Sequence, residues 1–62
     1  MNFIKLNDHV IFIENISFIH FRYSYEKLEK IEIHCIGGEI LNFDSFVYKD
    51  LKEQMKKIGV EL

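Results

Sequence analysis

The side chains best suited to chemistry lie in the middle of this 62-residue chain. Its only cysteine and two of its three histidines fall within "ISFIHFRYSYEKLEKIEIHCIGGEILNF", where His34 and Cys35 are neighbours in the fragment "IHC". Imidazole, thiolate and carboxylate are the ordinary ligands of zinc, and a cysteine beside a base makes a nucleophilic site. Both uses need the groups to converge. The alternation of Ile, Phe and His around them reads as β-strand, in which adjacent side chains leave on opposite faces, so His34 and Cys35 cannot share an ion. His20 and His34 can face each other across two strands with Glu32 and Arg22 beside them. His20, Arg22, Glu32 and His34 are therefore the candidate ligand-binding cluster, and His20 with His34 and a carboxylate is the one metal-binding alternative. No C-x₂-C or H-E-x-x-H spacing accompanies them, so no metal or other cofactor is assigned.

Catalysis has less to stand on. Cys35 falls on the face expected to be buried, and none of Ser17, Ser24 or Ser45 has a base placed to activate it. No catalytic residue is assigned, and the chain reads as non-enzymatic. Gly37–Gly38 lacks the Lys-Ser/Thr and following helix of a phosphate loop and reads as a turn. Tyr23, Tyr25, Arg22 and Lys27 combine aromatic and basic character, as a nucleic-acid surface does, but Glu26, Glu29 and Glu32 neutralise the same region.

The elements that must position these residues are mostly strands. Residues 3–43 are dense in Ile, Phe, Val and Tyr and are broken by short polar clusters, which predicts strands over about 2–6, 10–14, 16–23, 30–36 and 39–43. Asn7–Asp8–His9, Glu14–Asn15 and Gly37–Gly38 supply tight turns, and Ser24–Glu29 a longer polar loop. A helix over about 45–58 follows, with Asp44 as its N-cap, a Phe43/Tyr48 staple, and Val47, Leu51, Met55 and Ile58 on one stripe. Lys56 and Lys57 suit its last turn and Gly59 its C′ position. The expected fold is α+β: a single-domain, five-stranded antiparallel meander packed on one C-terminal helix.

A two-residue glycine turn sets Cys35 opposite Ile40 and His34 opposite Leu41. The preferred register of the previous hairpin sets Arg22 opposite Glu32, His20 opposite His34 and Ile19 opposite Cys35, which joins opposite charges across strands. One face then holds Val10, Phe12, Ile19, Phe21, Tyr23, Ile31, Ile33, Cys35 and Ile40 under the helix. The other carries Ile11, Ile13, Ile16, Phe18, Ile36 and Leu41 at one end and the His/Arg/Glu cluster at the other. One short helix cannot cover both faces. Contiguous apolar surface on a soluble chain marks an interface, so Ile11, Ile13, Ile16, Phe18, Ile36 and Leu41 are the expected oligomer interface.

The totals bound the function classes. Eight basic and ten acidic residues, net charge −2, argue against binding by phosphate neutralisation. A lone cysteine rules out an internal disulfide, and neither a signal peptide nor a membrane-length apolar run is legible, which points to the cytoplasm. Ten Ile, seven Lys, six Phe and four Asn with no Ala or Pro and one Arg are the residues of A/T-rich codons, hence a low-GC bacterial or phage genome. A chain this short buries only about 60% of its unfolded surface and gains from a partner.

"IENISFIHF" and "HCIGGEILNFDSF", with the helix after them, resemble small bacterial and phage proteins of unknown function that carry a β-meander followed by one helix. The resemblance covers most of the chain and implies that fold. The segment from Ile16 to Phe43 is also faintly similar to the LytTR DNA-binding domain of response regulators. That domain is longer and more basic, and its extra strands and DNA-reading loop residues are missing here. The expected function is a small binding or interaction module, self-associating as a homodimer or higher oligomer and engaging a host protein or small molecule. The alternatives are a nucleic-acid-binding accessory protein and a metal-binding domain through His20 and His34.

Overall fold

The computed structural model describes residues 2–62. β1 (Phe3–Leu6) and β2 (His9–Phe12) form an antiparallel hairpin. β3 (Ile16–Ser24), β4 (Lys27–Cys35) and β5 (Ile40–Asp44) form a second antiparallel sheet in that order, and α1 spans Tyr48–Lys57. The class is α+β with five strands and a C-terminal helix, but the strands divide between two sheets instead of running as one meander. The division falls at Ile13–Asn15, a turn of 3-10 helix where the sequence suggests a tight two-residue turn. It redirects the chain, so β2 and β3 do not pair. Instead the Ile13 amide donates to the Asn2 carbonyl (3.0 Å) and the Ile36 amide to the Asn15 carbonyl (2.8 Å).

The core joins all three pieces: Ile4, Leu6 and Ile11 from the hairpin, Ile31, Ile33 and Phe43 from the larger sheet, and Val47, Leu51 and Met55 from the helical end. The hairpin and helix thus share one face of the three-stranded sheet. Because β2 does not pair with β3, the side-chain parity of β3 is not transmitted to it. Val10 and Phe12, expected inside, are exposed, while Ile11, expected outside, is buried.

Two further turns set the sheet. Ser24 and Lys27 pair around Tyr25 (φ 51°) and Glu26 (φ 63°), so a two-residue turn replaces the long polar loop and β4 begins at Lys27. Positive φ at both central positions is what a type I′ turn demands, and it is normally met by Asn-Gly. β3 and β4 pair Ile19 with Ile33, His20 with Glu32 and Phe21 with Ile31. That is two residues from the register read in the sequence, and a shift of two leaves the faces of Phe18 to Arg22 unchanged. Beyond them the ladder is irregular, between Ile16 and Phe18 and between Arg22 and Tyr23, so Ile16, expected outside, packs on the core and Tyr23, expected inside, is exposed. The β4–β5 loop has three residues, not two. The Cys35 amide donates to the Glu39 carbonyl (2.8 Å) and the Gly38 amide to the Cys35 carbonyl (3.0 Å), with Gly38 at φ 94°. The extra residue shifts β5 by one and inverts it. Leu41 and Phe43 turn inward, and Ile40 turns out.

Asp44 ends β5 and does not cap the helix. Its carboxylate accepts from Lys30 Nζ at 3.0 Å, and the chain enters α1 through a 3-10 turn at Ser45–Val47. The apolar stripe forms as the spacing predicts, with Val47, Leu51 and Met55 buried and Ile58 packed against them. The helix ends in a Schellman motif on Gly59 (φ 88°): the Gly59 amide donates to Lys56 O (3.0 Å) and the Val60 amide to Met55 O (2.9 Å). Gln54 reaches from α1 to the outer edge of β1. Its Oε1 accepts from the Lys5 amide and its Nε2 donates to the Lys5 carbonyl, both at 2.7 Å. A side-chain amide thereby satisfies backbone groups that an edge strand otherwise presents to other chains.

Candidate functional site

With hairpin and helix on one face of the larger sheet, the other face is open. Its residues form three cross-strand rows, read from β3 through β4 to β5: Phe18–His34–Ile40, then His20–Glu32–Asn42, then Arg22–Lys30–Asp44. The face is therefore graded from aromatic and apolar at the Gly37–Gly38 end to charged at the other. Phe18 and Ile40 are about half exposed, 54% and 49%, and Ile36 beyond the first row is 70% exposed. The Phe18 ring stacks on His34 with centroids 4.1 Å apart and planes within 14°.

Glu32 is the centre of the polar half. Its Oε1 accepts from His34 Nε2 (3.1 Å) and lies 3.5 Å from His20 Nδ1, and its Oε2 accepts from Arg22 Nη1 (3.1 Å). The hydrogen bond from His34, more than those from Arg22 and His20 and the Arg22 charge, holds this carboxyl below the usual carboxylate range, against the desolvation that raises it. The four residues of the candidate ligand-binding cluster are thus together on one face. Arg22 sits opposite Lys30 in the register and reaches Glu32 on the diagonal. The arrangement is self-satisfied: imidazole and guanidinium donors point at a carboxylate of the same chain. Among the described residues, no group of three His, Cys, Asp or Glu is arranged to hold a metal ion.

The expected oligomer interface does not assemble. Ile11 is in the core, Ile13, Ile16 and Leu41 are half-buried against it, and only Phe18 and Ile36 are exposed. The three-residue loop inverts β5 and turns Leu41 in, the unpaired β2 turns Ile11 in, Ile13 is carried inward by the 3-10 turn, and Ile16 by the irregularity between Ile16 and Phe18 in the β3–β4 ladder. Ile40, Asn42 and Asp44 belong to the open face because β5 is inverted, and Lys30 joins them by alternation with Glu32 and His34 on β4. A glycine pair does not disclose whether the loop around it has two residues or three.

A second concavity of about 360 Å³ lies between β2 and the β4–β5 turn, lined in part by Val10, Phe12, Cys35, Glu39 and Leu41. Cys35 is half-buried here instead of deep in the core. Its only titratable companion in the lining is Glu39, and no imidazole joins it. No helix of the described residues is long and apolar enough to cross a membrane. Comparison with protein-family models, curated proteins and solved structures gives no match.

Proposed function

We propose that this chain is a non-enzymatic, intracellular protein-interaction module that docks through the open face of its three-stranded sheet. The observation that carries the reading is the first row, Phe18–His34–Ile40, in which exposed Phe18 and Ile40 flank His34 on the sheet, with exposed Ile36 in the turn that follows β4. Apolar side chains gathered at one end of a sheet face that the domain leaves uncovered mark a binding site. An aromatic and aliphatic patch beside a polar rim is also the usual composition of a protein interface. Catalysis gains no support from the groove at Cys35, where no imidazole accompanies the thiol and no hydrogen bond joins it to the Glu39 carboxylate.

Nucleic acid is the weaker occupant of the same face. Arg22 is committed to Glu32 and Lys30 to Asp44, which leaves little free positive charge for phosphate. The test is carbene footprinting of the folded protein in concentrated cell extract at physiological salt. Phe18, Ile36 and Ile40 are expected to lose labelling relative to dilute protein, while Tyr25 does not. Equal labelling of the three residues in both conditions overturns the reading.

A further inference from the structure

The open face poses the question of its occupant, and the pattern of its rows points to one. Resting on the docking role of this face, we propose that the occupant is a second copy of the chain, packed face to face about a two-fold axis that runs along β4. Two in-plane axes can bring the faces of two sheets together. An axis across the strands sets each first row over the partner's third, so that Phe18 meets Arg22 and Ile40 meets Asp44. An axis along β4 keeps each row over its own kind and places β3 over the partner's β5. Phe18 then lies over Ile40, His20 over Asn42 and Arg22 over Asp44, each contact occurring twice by symmetry.

The second arrangement joins apolar to apolar, a ring N–H or acceptor to an amide, and cation to anion at both flanks. It also matches the aligned packing of two sheets about 10 Å apart. The central column meets its own copy, His34 on His34, Glu32 on Glu32 and Lys30 on Lys30. Arg22 and Asp44, whose side chains are largely exposed, keep their in-chain partners Glu32 and Lys30 and also face each other across the interface, so each flank becomes a row of alternating sign, Lys30–Asp44 of one copy and Arg22–Glu32 of the other. The Glu32 side chain is also recessed, at 14% exposure. Three short rows make a small interface, at the weak end of specific protein association.

Charge reversal tests this geometry. Sedimentation equilibrium of the wild type over a rising concentration series should approach twice the 7.5 kDa protomer mass. Arg22→Asp alone sets Asp against Asp44 of the partner, and Asp44→Arg alone sets Arg against Arg22, so each should weaken self-association about tenfold or more. An equimolar mixture of the two variants is complementary at both flanks and should recover the dimer, a rescue that damaged folding cannot imitate. In the wild type, isotope-filtered nuclear Overhauser spectroscopy on mixed labelled and unlabelled protein should connect the Phe18 ring to the Ile40 methyls between chains. A wild type that stays at the protomer mass throughout overturns the second copy as occupant. Footprinting protection in extract would then still uphold the docking face. A dimer indifferent to both reversals, or lacking the Phe18–Ile40 contact, overturns the packing.

Discussion

The turn at Tyr25–Glu26 gives a direct check on the whole β3–β4 register. Both residues hold left-handed backbone, at φ 51° and 63°, and an ordinary L-residue in that region costs roughly 1–2 kcal/mol. Neither side chain offsets the strain by packing, since Tyr25 is fully exposed (101%) and Glu26 is exposed. Replacing the pair by Asn-Gly relieves most of the cost at both positions, about 2–4 kcal/mol in all. Set against this, glycine loses about 0.5–1 kcal/mol of extra chain entropy on folding, and asparagine keeps part of its own left-handed penalty. The net expectation for Tyr25→Asn/Glu26→Gly is a stabilisation of about 1–2 kcal/mol. In a domain of this size that raises the melting temperature by about 5–15 °C. Thermal unfolding followed by far-ultraviolet circular dichroism measures it, and urea titration should show a higher midpoint with an unchanged slope. If the double variant melts at or below the wild-type temperature, the left-handed pair is wrong. The Ser24–Lys27 closure, the early start of β4 and the Phe21–Ile31 pairing would fall with it.

Other perturbations read other contacts. The folded-state carboxyl of Glu32 is held below its ordinary value, so its stabilisation is complete above the unfolded carboxylate pKa, about 4.3, and is lost as the pH falls through the folded value. Melting temperatures of wild type and Glu32→Gln should therefore differ near neutrality and converge in acid; a constant difference contradicts the cluster. Gln54→Ala removes both bonds to the Lys5 backbone and should cost about 1–2 kcal/mol, with faster amide exchange at Lys5 as the local readout. Leu51→Ala empties a fully buried position and should cost about 2–5 kcal/mol, enough to unfold a domain this small at moderate temperature. Asp44→Ala should cost only about 0.2–1 kcal/mol and less in high salt, because Asp44 forms a surface pair with Lys30 instead of a helix cap. A loss above about 1 kcal/mol that persists in high salt would restore the capping role.

Much of the molecule is legible in the chain. The i, i+4, i+8, i+11 spacing of Val47, Leu51, Met55 and Ile58 dictates one buried helical stripe, and Gly59 closes it, because both follow from geometry within a few residues. The alternation through β3 and β4 places Ile19, Phe21, Ile31 and Ile33 on one face and His20, Arg22, Glu32 and His34 on the other. An error of two residues in register leaves that partition intact. The cluster around Glu32 is visible in the sequence for this reason. What tertiary structure decides is every inversion that turns on a single residue. Three residues instead of two around Gly37–Gly38 bring Leu41 inside and Ile40 out, and a 3-10 turn at Ile13–Asn15 frees β2 to bury Ile11 beneath the larger sheet. Local propensity does not choose between such loops, because a glycine pair suits a two-residue and a three-residue hairpin connection alike. The face that packs best against the helix and the hairpin makes the choice, and that competition exists only once all three are together.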